Sequence, residues 1–186
     1  MNGELDFEQA LRERVWLLKG LPLRTIQKVY QNRITFMPGG EVLVATMRAH
    51  KGYAALVSGG FTDFTRPVAA KLGFDEHRAN RLLKANAALT GQVGNPILGR
   101  EAKVTALNEI STAQNLHAND VLAVGDGAND LNMLKLAGTG VALHAKPIVQ
   151  DQVSVRVNHG DLTALLYLQG YTKSEFVIPP NVSTTP

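Results

Sequence analysis

The chain has 186 residues, 45% of them hydrophobic and 19% charged, a composition typical of one soluble globular domain with a sizeable core. Its formal net charge of +3 and the absence of any run of Lys or Arg argue against a nucleic-acid-binding protein. The lack of cysteine excludes disulfides and thiolate metal sites. Because there is also no apolar run as long as a membrane span and no signal-peptide pattern, we expect a cytoplasmic protein without membrane contact.

Helical patterns dominate the first part of the chain. Apolar residues at helical spacing predict an amphipathic helix over about 5–19, and Pro22 is suited to begin a second helix that continues to about Tyr30. A third helix is predicted over 40–50. Because the first two helices precede any predicted strand, we expect residues 1–38 to form part of a small helical cap.

Short apolar strands alternate with helices in the rest of the chain. This alternation predicts an α/β fold with a doubly wound parallel sheet, which we expect to occupy residues 39–169. A β-hairpin insertion is predicted near 79–97 and a loose tail over 170–186. The predicted strands are 53–57, 121–124, 140–143 and 153–157, and the predicted helices run to 72 or cover 100–114, 128–137 and 161–168.

A dense group of oxygen ligands follows the predicted strand at 121–124. Asp126, Asn129 and Asp130 lie at positions i, i+3 and i+4 across the turn into the next helix, flanked by glycines that let the backbone bend. This spacing can direct all three side chains towards one point, and hard oxygen ligands suit Mg²⁺. The alternative is an ordinary strand-to-helix loop in which Asp130 is a first-turn helix acid.

Ser58, Gly59 and Gly60 follow an earlier apolar strand. A hydroxyl group and free backbone N–H groups at the start of a helix can hold a phosphate. The alternative is a plain glycine turn in which Ser58 caps the helix. The residues by themselves leave both interpretations open.

Lys103 stands near the start of the predicted helix at 100–114, where its charge opposes the helix dipole. That position hints at a nearby anion. A solvated surface lysine is the alternative, and the residue considered alone favours it.

Arg14 lies seven residues after Phe7, so the two share a helix face with Leu11 between them. An arginine on an apolar stripe can clamp a carboxylate with two hydrogen bonds. More often such a side chain extends from the edge of the stripe into water.

In chain order, these segments resemble the motifs of the haloacid dehalogenase superfamily. Ser58–Phe61, Lys103 and Gly125–Asp130 are similar to its second, third and fourth motifs. The stretch from Gly3 to Pro22 resembles the cap segment of the bacterial phosphoserine phosphatases within that superfamily. The resemblance covers roughly residues 1–168, and the same phosphatases also share segments similar to Ala79–Leu82, Leu89–Gly91 and Ala145–Pro147.

The resemblance also implies a role for each candidate residue. Asp126 would be a Mg²⁺ ligand. Lys103 and Asp130 would be catalytic, with Lys103 neutralising the phosphate and the nucleophile and Asp130 orienting the lysine or the metal's waters. The substrate-binding residues would be Phe7, Arg14, Ser58, Gly59, Gly60, Lys103 and Asn129, of which Arg14 holds a carboxylate and Phe7 packs on the serine moiety.

The first motif of the superfamily, Asp-x-Asp-x-Thr at the end of an apolar strand, has no counterpart in this sequence. None of the eight aspartates stands two residues before another. In the family these two aspartates are the nucleophile and the general acid/base. We therefore expect Met1 to be an internal methionine of a longer protein, and the chain by itself to lack the first core strand, to be marginally stable and to be inactive.

The resemblance implies Mg²⁺-dependent hydrolysis of O-phospho-L-serine to L-serine and phosphate, in serine biosynthesis. The expected partner is this small substrate, and a homodimer is left open. One alternative is a catalytically inactive phosphate- or partner-binding protein of the same fold. Another is a phosphatase that acts on a different small phosphorylated metabolite.

Overall fold

The structure, a computed structural model, describes residues 3–180, with side chains described from Phe7 onward. Within this part the chain forms two compact units. Unit 1 comprises residues 3–9 and 97–159, and unit 2 comprises residues 10–96 and 160–180.

The predicted N-terminal helices are confirmed. The first helix of the chain, α1, begins in unit 1 and ends in unit 2, and Pro22 stands immediately before the second, as expected from its fixed φ. The buried side chain of Val15 anchors the end of α1 in unit 2. These helices are α1 (Gly3–Trp16), α2 (Leu23–Arg33), α3 (Gly40–Ala49) and α4 (Thr62–Leu72).

Two parallel strands, β1 (Ala55–Phe61) and β2 (Glu76–Asn80), form one sheet of unit 2. The prediction that β1 ends before Ser58 is wrong, because the strand continues to Phe61 and α4 begins at the next residue. Strand β2 was not predicted. Its first residues are polar, and its buried residues are confined to its last two positions.

The predicted hairpin is confirmed as β3 (Leu82–Ala85) and β4 (Ala88–Val93), which pair antiparallel. The linker between α1 and α2 pairs with β4: Gly20 N–H donates to Leu89 O at 2.8 Å, and Leu89 N–H donates to Leu21 O at 2.9 Å. Gly91 has φ +79°, and a Cβ there would lie 2.8 Å from the Cβ of Lys19. Glycine is therefore required where the hairpin crosses the linker.

Unit 1 contains a three-stranded parallel sheet in the order β5 (Leu122–Gly125), β6 (Thr139–Leu143), β7 (Val155–Val157). These strands were predicted, with small differences at their ends. Helix α6 is preceded by a 3₁₀ turn over Ala128–Asp130, and α7 was not predicted. The helices of this unit are α5 (Glu101–Ala113), α6 (Leu131–Leu136) and α7 (Pro147–Gln150). Its core consists of Leu107, Ala123, Leu131, Leu134, Ala137, Ala142, Ala145, Val149 and Val153.

The α/β class with parallel sheets is confirmed, with the parallel strands divided between the β1–β2 sheet and the β5–β6–β7 sheet. Within residues 3–180, β1 pairs along one edge only, and so does β5. The predicted domain boundaries at 38 and 169 stay a prediction. The described helices include none that is long and apolar enough to cross a membrane.

The described part of the chain ends with α8 (Ala164–Leu168) and the segment 169–180, both of which belong to unit 2. Val177 N–H donates to the buried Thr46 hydroxyl oxygen at 2.9 Å, and the Tyr171 ring lies 4.7 Å from the His50 ring. These contacts hold the segment on the unit, where the sequence predicts a loose tail. Residues 181–186 of that predicted tail lie outside the described residues.

Candidate functional site

The loop after β5 is organised by one buried carboxylate. Asp130 is 1% exposed, and its Oδ2 accepts the backbone N–H of Asp126 at 3.1 Å and that of Gly127 at 3.0 Å. The side chain therefore reaches back along the chain instead of capping α6, which begins at the next residue. These two hydrogen bonds fix the conformation of the loop on which Asp126 stands.

Lys103, on the first turn of α5, forms an ion pair with the other oxygen of this carboxylate, Asp130 Oδ1. The lysine side chain is only 14% exposed. The interpretation of Lys103 as a solvated surface lysine, which the residue alone favoured, is therefore wrong. The nearby anion that its position indicated is Asp130. Taking an ammonium group out of water is costly unless the group is paired. The burial of Lys103 therefore depends on Asp130.

Gly125 is required because Asp130 packs directly against it. A Cβ built on Gly125 would lie 2.5 Å from Asp130 Cβ and 2.7 Å from Asp130 Oδ2. No larger residue fits without displacing the carboxylate. Gly125 thus allows the Asp130 side chain to pack closely against the backbone, as its place in the motif predicts.

Asp126 and Asn129 differ from Asp130 in being exposed. The Asp126 carbonyl oxygen accepts the Lys146 N–H at 3.1 Å, which ties the Ala145–Pro147 segment to this loop. Within the described part of the chain, the Asp126 carboxylate makes no hydrogen bond or ion pair. An exposed carboxylate on a rigid loop suits Mg²⁺, which binds through one or two carboxylates and keeps several waters.

A larger metal cluster is not formed. Residues 7–180 contain no group of three or more His, Cys, Asp or Glu side chains that could hold a metal ion. The three side chains were expected to converge on one point. Asp130 does not do so, because one of its oxygens accepts loop N–H groups and the other pairs with Lys103.

In unit 2, Ser58, Gly59 and Gly60 lie within β1 and not in a turn. The alternative interpretation, in which Ser58 caps the next helix, is wrong, because Phe61 occupies the position before α4. The Ser58 hydroxyl oxygen instead accepts the Gly60 N–H at 3.0 Å. A local serine-to-backbone hydrogen bond of this kind offers the chain an alternative to the strand ladder.

Asn80 is a residue of this segment that the sequence did not single out. It ends β2, is 1% exposed, and donates from Nδ2 to the Gly59 carbonyl oxygen at 2.9 Å. The signal that could have found it is the Ala79–Leu82 stretch, which the resemblance includes.

Phe7 and Arg14 both lie on α1. In unit 1, Phe7 is 39% exposed, and a Cβ on Gly99 would lie 3.7 Å from its ring. In unit 2, Arg14 is exposed and lines a cleft of about 930 Å³ between α1 and the hairpin. The other residues that line this cleft are Arg12, Glu13, Trp16, Leu17, Leu83, Gly91, Gln92, Val93 and Asn95.

The structure thus brings the predicted residues together in two groups. Lys103, Asp130 and the Asp126 loop form a connected arrangement in unit 1. Ser58 and its two glycines form another in unit 2, joined by Asn80. The first group places a largely buried cation beside a buried carboxylate, and the second places a hydroxyl group at an irregular strand.

Comparisons with known proteins identify the family of this chain. A family model described as haloacid dehalogenase-like hydrolase matches residues 1–135. A phosphoserine phosphatase from Streptomyces coelicolor is 41% identical over 175 residues, which are 94% of this chain and 42% of that protein. One from Methanocaldococcus jannaschii is 40% identical over 167 residues, 89% of this chain and 78% of that protein.

The solved structures include a similar fold. The unliganded crystal structure of a probable phosphoserine phosphatase from Vibrio cholerae has a TM-score of 0.85 and 35% sequence identity, covering 88% of this chain and 50% of that one. The chain thus spans 42% of the Streptomyces relative and half of the Vibrio protein.

Proposed function

Because the chain belongs to the family of haloacid dehalogenase-like hydrolases, we propose that the complete protein hydrolyses O-phospho-L-serine to L-serine and phosphate with Mg²⁺. Two relatives named phosphoserine phosphatase, at 41% and 40% identity over most of this chain, support this substrate. The proposed place of the reaction is serine biosynthesis, in the cytoplasm.

The observation that carries the proposal is the buried Lys103–Asp130 pair. Transfer of a phosphoryl group is accelerated by positive charge held at its oxygens. Lys103 supplies that charge from a side chain that is 14% exposed. Asp130 holds the ammonium group in place by pairing with it.

Asp126 would hold the Mg²⁺ ion. Its carboxylate is exposed, makes no other described contact, and stands on a loop that Asp130 makes rigid. When bound, the ion would neutralise charge on the phosphoryl oxygens.

The substrate contacts follow from the remaining residues. The Ser58 hydroxyl group and the backbone at Gly59 would donate hydrogen bonds to phosphoryl oxygens, while Gly60 holds the Ser58 oxygen through its N–H. Asn129 would contact the phosphate. Arg14, exposed in its cleft, would hold the substrate carboxylate with two parallel hydrogen bonds. Phe7 would pack against the serine moiety.

The nucleophile and the general acid/base would come from an Asp-x-Asp-x-Thr motif that this sequence does not contain. The chain by itself would therefore be inactive. The same absence favours a second candidate, a protein that binds phosphate or a partner without turnover. This second candidate would bind phosphoserine as the chain stands and release no phosphate.

The deciding experiment measures phosphate release from O-phospho-L-serine by the complete protein with Mg²⁺, beside a panel of other phosphomonoesters. We expect phosphoserine to be the preferred substrate, and Lys103→Ala to lower kcat by about 10²–10³-fold. Lys135→Ala, which removes an exposed lysine that bonds Gln152, is the control and leaves kcat unchanged. Cleavage of another ester with phosphoserine left intact would overturn the proposed substrate.

A further inference from the structure

We propose that Asn80 is a positioning residue for phosphate binding, because its side-chain amide holds the Gly59–Gly60 peptide in a single orientation. The inference rests on the function proposed above for Ser58 and its glycines. Asn80 itself would not touch the phosphate. It would act through the Ser58 hydroxyl group, which the clamped peptide holds in place.

The pairing of β1 with β2 shows why this peptide needs a separate support. Val57 pairs with Arg78, and the next pair is Phe61 with Asn80. Between these pairs β1 advances four residues while β2 advances two, so β1 carries two extra residues over 58–60. A bulge of this kind interrupts the ladder and leaves backbone groups that the partner strand cannot satisfy.

Two side chains take over those groups. Asn80 Nδ2 donates to the Gly59 carbonyl oxygen at 2.9 Å, and the Ser58 hydroxyl oxygen accepts the Gly60 N–H at 3.0 Å. The Gly59 carbonyl and the Gly60 N–H belong to the same planar peptide group. That peptide is therefore clamped from both of its polar ends.

The clamp matters because both residues of the peptide are glycines. Glycine adopts positive and negative φ with similar ease, so a Gly-Gly peptide can flip at little cost. A flip would break both hydrogen bonds at once. It would also release the Ser58 side chain, whose remaining O–H hydrogen is the one available to donate to an anion.

Burial makes the amide of Asn80 a firm support. The residue is 1% exposed, so its polar atoms have no water to turn to, and the Gly59 carbonyl would lose its partner if the amide were removed. An amide held in this way cannot follow a flipped peptide. The orientation of the segment thus depends on a residue of the neighbouring strand.

The test compares Asn80→Leu with Thr46→Val in the complete protein with Mg²⁺. Asn80→Leu keeps the branched shape and removes the amide. Thr46→Val likewise keeps its shape and removes a buried hydroxyl, which accepts the Val177 N–H in the same unit but away from 58–60. Asn80→Ala is included as a second variant, in case the leucine disturbs packing.

The readouts are the affinity for inorganic phosphate by calorimetry and the hydrogen exchange of the Gly60 amide by NMR. We expect both Asn80 variants to weaken phosphate binding by about tenfold or more and to accelerate Gly60 exchange. Thr46→Val should leave both unchanged even where it lowers stability. A structural role alone would not move phosphate affinity at equal stability.

Unchanged phosphate affinity and unchanged Gly60 exchange in both Asn80 variants would overturn the positioning role. Failure of the proposed function would appear elsewhere, in a wild-type protein that leaves phosphoserine intact. The two failures are therefore separable, since the exchange of the Gly60 amide does not depend on turnover.

Discussion

Lys103 and Asp130 form an ion pair in which one carboxylate oxygen faces the ammonium group while the other accepts two backbone N–H groups of the loop after β5. The Asp130 side chain thus connects α5, through the Lys103 ammonium group, to the loop after β5. A substitution of Asp130 therefore affects both the ion pair and the loop.

The first prediction concerns the removal of this carboxylate. Asp130→Ala leaves the Lys103 ammonium group buried without its partner and frees two loop N–H groups, so we expect a loss of about 3–5 kcal/mol in the free energy of unfolding. Chemical denaturation measures the loss. Asp120→Ala, which removes an exposed aspartate that accepts only the His117 N–H, should cost about 1 kcal/mol. Equal losses in the two variants would contradict the central role of Asp130.

The second prediction tests the close approach at Gly125. A methyl group there would overlap Asp130 Cβ, so Gly125→Ala should destabilise the protein by about 1–3 kcal/mol and lower its Mg²⁺ affinity. Gly99→Ala is the matched change, because its Cβ would make an ordinary contact at 3.7 Å. Melting temperatures of the two variants decide the matter, and a Gly125→Ala protein as stable as Gly99→Ala would refute the steric argument.

A third prediction addresses the metal. Asp126→Asn removes the charge of the proposed ligand while keeping its shape, so we expect Mg²⁺ affinity to fall by about tenfold or more, which equals ~1.4 kcal/mol. Calorimetric titration with Mg²⁺ alone measures it. Asp151→Asn, an exposed aspartate at the end of α7, serves as the control and should bind Mg²⁺ like the wild type.

The fourth prediction separates substrate recognition from phosphate chemistry. If Arg14 holds a carboxylate, Arg14→Ala should lower kcat/KM for phosphoserine far more than for p-nitrophenyl phosphate, which has no carboxylate. The expected difference is about tenfold to a hundredfold. Arg24→Ala, an exposed arginine on α2, should affect neither ester. An equal loss on both esters would assign Arg14 to the fold instead.

The hairpin turn provides a fifth prediction. Ala87 has φ +59°, a left-handed conformation that costs an alanine roughly 1 kcal/mol. Ala87→Gly should therefore raise the free energy of unfolding by up to about 1 kcal/mol. Ala49→Gly, at the end of α3, should instead lower it by a similar amount. A loss of stability in Ala87→Gly would show that the turn is not strained.

Much of the fold was predictable because burial and periodicity agree in it. The apolar run before Asp126 becomes β5, and the helical spacing after Arg100 becomes α5. Strand β2 escaped prediction because polar contacts stabilise it: Glu76 bonds Tyr53 and Arg78, and His77 bonds Thr65. Its pattern therefore lacks the apolar signal on which strand prediction depends.

The site was predictable in its residues and less so in its geometry. The spacing of Asp126 and Asp130 identified the loop, but it could not tell which carboxylate would bind the loop's own N–H groups. That choice depends on which backbone groups are left unpaired in the folded chain. For Ser58, the two following glycines resembled a turn, and one of the contacts that hold the segment comes from Asn80, which is distant in sequence.

The linker between α1 and α2 is a short third segment that pairs with the β3–β4 hairpin, and Leu23 N–H donates to Ala87 O at 3.0 Å. These hydrogen bonds connect the end of α1, where Arg14 lies, to the hairpin. A lengthened or shortened hairpin turn would therefore displace that helix end. If Arg14 holds the substrate carboxylate as proposed, insertions near 86 and 87 would change substrate recognition through the end of α1.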